Sequence, residues 1–346
     1  MSARSRWLGL GGMLAFVAFA VILIVWRGPD WRAVHDAFTA VSWPWVAAAI
    51  GLNLLSVVTR SVSWDTCIEQ SMDPPHPAYP LVFSAFCVGL FANAVLPGRV
   101  GEIARVAVLR RRMPGRKGAT ATLIGSVFAH RMFDLFPTIT LVVWVLFAAD
   151  IPRWAYLTLA LAIGIGVLLF VAALVLARRQ RRDFEKLGPI RQVLGRARQG
   201  LAIMQKPVPA LKAASFQFAG WFCQLFAVWS AMRAFQIDEP LAAAGLVLVL
   251  MNVATIVPLW PGNVGLVQIA VATPLVNYGI AYPHGIAFGI GLQAIEASVG
   301  IGIGLVFLAR EGLSFATLRQ MEERTEDTFE DVADAEPERA RDRVAG

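Results

Sequence analysis

Uncharged, mostly apolar runs recur along the chain at the length of a bilayer: 7–26, 43–59, 135–149, 155–177 and 241–257. A helix needs about 20 such residues to cross the hydrocarbon core. The pattern predicts an all-α polytopic membrane protein. Composition agrees, since 57% of the 346 residues are hydrophobic and only 16% charged, with a mean hydropathy of +0.60. The first run, 7–26, is too long for the apolar core of a signal peptide and no small-x-small cleavage site follows it, so it reads as a retained anchor. Cys67, Cys87 and Cys223 lie in or beside apolar runs without metal-ligand or disulfide-framework spacing, and read as small buried hydrophobes.

The net charge of +7 does not point to nucleic acid, because Lys and Arg collect at 99–117 and 178–212, beside apolar runs, where they act as topology signals. From Arg319 onward the chain turns acidic and almost loses large apolar residues. That predicts a solvated, disordered cytoplasmic tail over 311–346. With the N-terminus in the cytoplasm, 7–26 runs outward and 43–59 returns, which leaves Arg60 to His76 inside. A continuous crossing at 78–96 would then put the basic stretch 99–117 outside, against the positive-inside tendency. The conflict vanishes if 79–96 and 99–112 are the arms of a re-entrant hairpin that turns at Pro97-Gly98. Pro and Gly break a helix, and broken backbone at membrane depth is tolerated where it is buried in protein or lines a cavity. Residues 118–148 then cross outward, 154–177 return, 213–234 cross outward and 285–309 return.

The motif PGRVG at 97–101 comes again as PGNVG at 261–265, identical at four of five positions and displaced by 164 residues. The arms of the second motif, 241–258 and 264–280, predict a hairpin entering from outside. Two broken-helix hairpins from opposite faces, each followed by a full span, make the pattern of an inverted repeat. The expected architecture has about six full transmembrane helices plus two re-entrant broken-helix hairpins in an inverted-repeat arrangement, eight to nine apolar segments in all. One membrane domain over 1–310 would hold repeat one at about 43–148 and repeat two at about 210–310.

Arg99, Glu102 and Arg105 share one face of the half-helix that starts at Pro97. A helix N-terminus favours an anion such as phosphate, and arginine adds a planar fork for its oxygens. The competing reading is an internal Arg–Glu pair that closes the hairpin. Arg110, Arg111, Arg112, Arg116 and Lys117 read as interfacial topology residues. Arg131 and Asp134 stand one turn apart midway along the span 118–148, where each charge costs about 2.5–3.5 kcal/mol to insert, so they are either functional or a structural pair. Glu296 is expected to pair with Arg131, to bind a proton or to be structural. Asn93, Asn252, Gln224, Gln268 and Gln293 read as interhelical hydrogen-bond groups, and the glycines of GIGIG at 300–304 as close-packing positions. There is no phosphate-binding loop, zinc-binding His pair or nucleophile elbow, and His35, His76, His130 and His284 form no set. No enzyme activity, metal or cofactor is expected.

The stretch LPGRVGEIARVAVL, the preceding Asn93, the HRMFD of the next span and the later PGNVGLVQIAVATPLVNYGI together resemble the flippase-like membrane domain of lysylphosphatidylglycerol synthases. The resemblance reaches to about residue 310. It implies movement of a lipid between leaflets, and it carries the family's first-motif Arg and Glu onto Arg99 and Glu102. The family's Glu-Arg-x-x-Asp falls on His130, Arg131 and Asp134. Here His130 replaces the usual Glu, and Gln268 stands where many members have Glu, which puts a lysine-bearing headgroup in doubt. The lysyl-transfer domain is absent from this sequence.

The function expected is therefore a non-enzymatic translocator of a lipid or lipid-linked precursor, in a bacterial plasma membrane with both termini cytoplasmic. Its substrate would be an anionic phospholipid or a polyprenyl-phosphate-linked lipid. The headgroup would sit between the hairpins against Asn93, Pro97, Gly98, Arg99, Gly101, Glu102, Arg105, Arg131, Asp134, Pro261, Gly262, Asn263, Gly265, Gln268 and Glu296. A soluble-anion transporter and an accessory subunit of a separate synthase or glycosyltransferase are the alternatives, and homo-oligomerisation stays open.

Overall fold

The computed structural model describes residues 30–96, 100–113, 119–151, 206–255 and 261–311, together with residues 156, 157, 161, 164, 168, 171 and 203. The expected span 7–26, most of 154–177, the turn Pro97-Gly98-Arg99 and the acidic tail beyond Glu311 lie outside these residues. Every regular element among the described residues is helical. A short helix α1 (Trp31–Thr39) is capped by Asp30, whose carboxylate accepts the backbone N–H of Arg32 at 2.9 Å and of Ala33 at 3.4 Å. It is followed by α2 (Trp43–Ser71), α3 (Tyr79–Val95), α4 (Gly101–Arg111) and α5 (Ala119–Ala148). The second half contains α6 (Pro207–Ala234), α7 (Leu241–Ala254), α8 (Leu266–Leu275) and α9 (Tyr282–Arg310). Prolines open α2, α3, α6 and α9, where a missing N–H costs nothing.

Among the described residues three helices, α2, α5 and α9, are long and apolar enough to cross a membrane. With 28 residues α6 has the length, but Gln217 and Gln224 make it more polar. The helix that carries the apolar run 43–59 continues through Arg60 to Ser71, so the first part of the stretch Arg60 to His76 is helical. Arg60 has its counter-ion within the protein, Asp134, 3.2 Å from Arg60 Nη2.

The four helices flanking the Pro-Gly motifs are short: 17 residues in α3, 11 in α4, 14 in α7 and 10 in α8. At 1.5 Å per residue they run about 26, 17, 21 and 15 Å, all below the ~30 Å of a bilayer core. In each half the two short helices pack on each other. Gly89 and Gly101 bring the backbones of α3 and α4 into contact, and the Asn93 side-chain oxygen accepts the Gly101 N–H at 2.8 Å, capping α4.

The two halves correspond. Displaced by 164 residues, Trp43 falls on Pro207, the first residue of α6, and Gly101 falls on Gly265, the residue before α8. Ala119 falls one residue past Tyr282, the first of α9. The corresponding helices α2 and α6 pack along their length and run antiparallel. Ser42 N–H donates to Ala234 O at 2.9 Å, Ser63 Oγ to Ala213 O at 2.9 Å, and Lys206 Nζ to Gln70 Oε1 at 2.9 Å. The halves also exchange partners, since α3 packs on α9 and α7 on α5.

In lipid there is no hydrophobic force between helices, so close packing of small residues has to hold them. Gly304 lies against Phe91 and the Cys87 carbonyl, Gly285 against Ala272, and Gly245 against Trp144 and Val145. Of the GIGIG glycines, Gly300 and Gly304 meet α3, whereas Gly302 faces open space. Two apolar clusters result, one built around α3 and α4 and the other around α7 and α8. Polar side chains fill the region between them.

Candidate functional site

The α5 sequence places His130, Arg131 and Asp134 within one turn, and the neighbouring helices converge on them. Asp134 is the hub. Its Oδ1 accepts from Arg60 Nη2 of α2 at 3.2 Å, from Trp221 Nε1 of α6 at 2.9 Å and from Gln217 Nε2 of α6. Its Oδ2 accepts from Arg131 Nη1 at 3.0 Å. Arg131 also pairs with Glu102 of α4, and Glu102 with Arg105 one turn on. His130 donates through Nε2 to the Arg60 carbonyl at 3.1 Å. These contacts join α2, α4, α5 and α6 through paired charges, which is how ionisable groups persist at membrane depth.

Beside the network lies a cavity of about 310 Å³. Asn53 and Arg60 of α2, Asn93 of α3, Gln224 of α6, and Gln293 and Glu296 of α9 give it its polar wall. Residues at both Pro-Gly segments, Leu96 on one side and Gly262 and Asn263 on the other, complete it. Arg60 stands near the middle of α2 and Glu296 near the middle of α9, so the cavity sits halfway along two span-length helices. Gln224 reaches both. Its Oε1 accepts from Arg60 Nη1 at 3.5 Å, and its Nε2 donates to Glu296 Oε1 at 3.5 Å.

The second Pro-Gly segment is held by amides. Pro261 opens a single 3-10 turn, Pro261–Asn263, in which Gly262 has φ +68° and Asn263 φ +46°. Gly265 follows at φ +94°, a conformation that excludes a side chain at little cost only for glycine. Gln268 accepts the Gly265 N–H at 2.5 Å and donates to Gln293 Oε1 at 2.5 Å, and Gln293 Nε2 donates to the Gly262 carbonyl. Asn263 Nδ2 donates to Ala254 O at 2.9 Å, tying the turn back to α7. Among the described residues no three His, Cys, Asp or Glu side chains gather as a metal site requires.

The family described as the lysylphosphatidylglycerol synthase TM region matches residues 9–319. The chain belongs to that family. It is also 23% identical over 188 residues to a UPF0104 membrane protein of Methanocaldococcus jannaschii, across 52% of this chain and 77% of that protein. No solved structure matches it. The family match contains both Pro-Gly segments, the charge network and the cavity.

For this family member the resemblance singled out Arg99 and Glu102, then His130, Arg131 and Asp134. Arg99, with Pro97 and Gly98, lies outside the described residues. The other four are brought together: Arg131 joins Glu102 to Asp134, and Arg60, Arg105, Gln217 and Trp221 complete their contacts. Arg105 departs from its expected place against a headgroup. It is 3% exposed, its guanidinium lies 4.5 Å from the Trp64 ring and 5.6 Å from Phe86, and it does not line the cavity. Glu296 pairs with the Gln224 amide rather than with Arg131. Asn252 donates to Leu248 O at 2.8 Å within its own helix, whereas Asn93, Gln224, Gln268 and Gln293 bond between elements. Sequence reasoning missed Arg60 and Asn53. The 164-residue displacement was a signal for both, since it maps Arg60 onto Gln224 and Asn53 onto Gln217, each an amide in α6.

Proposed function

We propose that this member of the lysylphosphatidylglycerol synthase TM region family translocates a lipid or lipid-linked precursor across a plasma membrane. The observation that carries this reading is a polar cavity, with an arginine on its wall, halfway along span-length helices and between two Pro-Gly segments. A polar cavity at that depth needs polar contents, and about 310 Å³ is the scale of a small ligand site, enough for a headgroup while acyl chains stay in lipid. Arg60 supplies the phosphate contact. Arg99, whose motif the resemblance carries, supplies a second.

In this reading the two halves are inverted repeats and the Pro-Gly segments are re-entrant. The antiparallel packing of α2 on α6, and the exchange of α3 and α7 between halves, support it. Rocking one half against the other about the α2–α6 pair opens the cavity to each leaflet in turn. The gap between the four short helices and the bilayer core gives the headgroup its route, because their ends stop inside the hydrocarbon layer.

The test is movement of an acyl-labelled phospholipid in proteoliposomes, read by dithionite quenching. Wild type moves the label. Arg60→Gln and Arg99→Ala each lower the rate at least about tenfold, the loss expected of one charge-assisted phosphate contact at low dielectric. Unchanged rates in both variants refute the site. Absence of movement with every anionic and zwitterionic lipid turns the assignment toward an accessory subunit.

A further inference from the structure

The charges around the cavity are unequally matched, and the mismatch defines what the site takes. Three guanidiniums, Arg60, Arg105 and Arg131, share two carboxylates. Glu102 pairs with Arg105 and Arg131, and Asp134 pairs with Arg131 and Arg60. Of the three arginines only Arg60 lines the cavity, and among the described residues its buried Nε has no hydrogen-bond partner. This network therefore carries one positive charge in excess, and Arg60, which shares Asp134 with Arg131, is its member that faces the cavity.

Glu296 lines the same cavity from α9. Among the described residues it makes no ion pair, and its contact is the neutral Gln224 amide at 3.5 Å. Gln224 lies between the two charges, with its oxygen toward Arg60 and its nitrogen toward Glu296, and keeps them from closing on each other. A charge held at bilayer depth requires a counter-charge. Here one cation and one carboxylate face the same 310 Å³ space without meeting.

Resting on the translocator reading and deepening it, we infer that the cavity selects a net-neutral, zwitterionic phosphodiester headgroup, its phosphate on Arg60 and its single ammonium on Glu296. A purely anionic headgroup would place phosphate against the Glu296 carboxylate. A headgroup with two ammonium groups would find one carboxylate open, because Asp134 already accepts from Arg60, Arg131, Gln217 and Trp221. Complementarity with one charge of each sign satisfies both walls, and the like-charge contact rejects the anion. The same chemistry occurs on a membrane lipid and on its deacylated, soluble form.

Two measurements on the full chain decide the matter. In detergent, thermal unfolding is followed with added glycerophosphoethanolamine or glycerophosphoglycerol. The zwitterion stabilises at about tenfold lower concentration, a difference of one favourable charge contact. Glu296→Gln erases that preference while retaining binding, and Arg60→Gln removes the stabilisation by both compounds. In proteoliposomes, acyl-labelled phosphatidylethanolamine moves faster than acyl-labelled phosphatidylglycerol in wild type and at the same rate in Glu296→Gln. Equal stabilisation by the two compounds, or a preference that survives Glu296→Gln, overturns the headgroup assignment. Selective stabilisation with no lipid movement leaves that assignment standing and removes the translocator reading. Lipid movement without headgroup preference does the reverse. Uptake of radiolabelled glycerophosphoethanolamine into the vesicles, without lipid movement, assigns the same charge chemistry to a soluble ligand.

Discussion

Gly101 has no room for a side chain. A Cβ there would overlap the Gly89 carbonyl oxygen and the Asn93 side chain, at the point where α3 and α4 cross and Asn93 caps α4. Gly101→Ala is expected to lower stability in detergent by about 1–3 kcal/mol, the cost of overpacking a close contact. Gly51→Ala on α2, where a Cβ meets nothing within 4 Å among the described residues, is the control and does not lower the unfolding midpoint. Equal midpoints for the two variants would show that the α3–α4 contact is not the tight one described. The glycines of PGNVG were legible as turn signals, and so was the pairing of Arg131 with Asp134 from their spacing. Arg60 was overlooked, because a lone arginine after an apolar run reads as a membrane edge while its counter-ion is unknown, and the displacement that maps it onto Gln224 was its one signal. Its partners stand 74 and 164 residues away. Arg105 misled for the opposite reason. Its spacing from Glu102 matched an anion site, but the Trp64 and Phe86 rings that enclose it come from other helices.

At the scale of helices, Asp134 is the fastening. It holds α2 through Arg60, α6 through Trp221 and Gln217, and its own helix through Arg131. Removing one partner of a buried pair leaves the other charge uncompensated, which costs about 3–5 kcal/mol. Asp134→Asn is therefore expected to be the more damaging single change, because it leaves Arg60 without its paired carboxylate and leaves Glu102 to be shared by Arg105 and Arg131. Adding Arg60→Gln removes the stranded charge, so the double variant is less destabilised than the two singles summed. Denaturation in detergent of the wild type, both singles and the double gives the coupling. Strict additivity would mean that Arg60 and Asp134 do not sense each other despite the 3.2 Å contact. The span-length helices were readable from hydropathy alone. The partners of the α6 amides Gln217 and Gln224 were not, because Asp134, Arg60 and Glu296 come from other helices that only packing brings to them.

For the whole molecule, the decisive question is whether the two Pro-Gly segments enter from opposite faces. The sequence offered one short repeated motif and a displacement of 164 residues. The helix boundaries follow the same displacement, and the corresponding helices α2 and α6 lie antiparallel, as units of opposite orientation require. Single cysteines test the orientation directly, in a background with Cys67, Cys87 and Cys223 replaced by alanine. His76 lies before α3 and Arg111 ends α4, both exposed; Asp238 lies before α7 and Ala281 precedes α9, again both exposed. If each short pair is re-entrant, a membrane-impermeant maleimide labels His76→Cys and Arg111→Cys from one face only. It labels Asp238→Cys and Ala281→Cys from the other. The positive-inside tendency of the basic cluster Arg110–Arg112 predicts that the first pair reacts in inverted vesicles and the second in intact cells. Labelling of His76→Cys and Arg111→Cys from opposite faces would make α3 and α4 a continuous crossing, and it would place the Pro-Gly turn and the cavity beside it at a different depth from the one on which translocation depends.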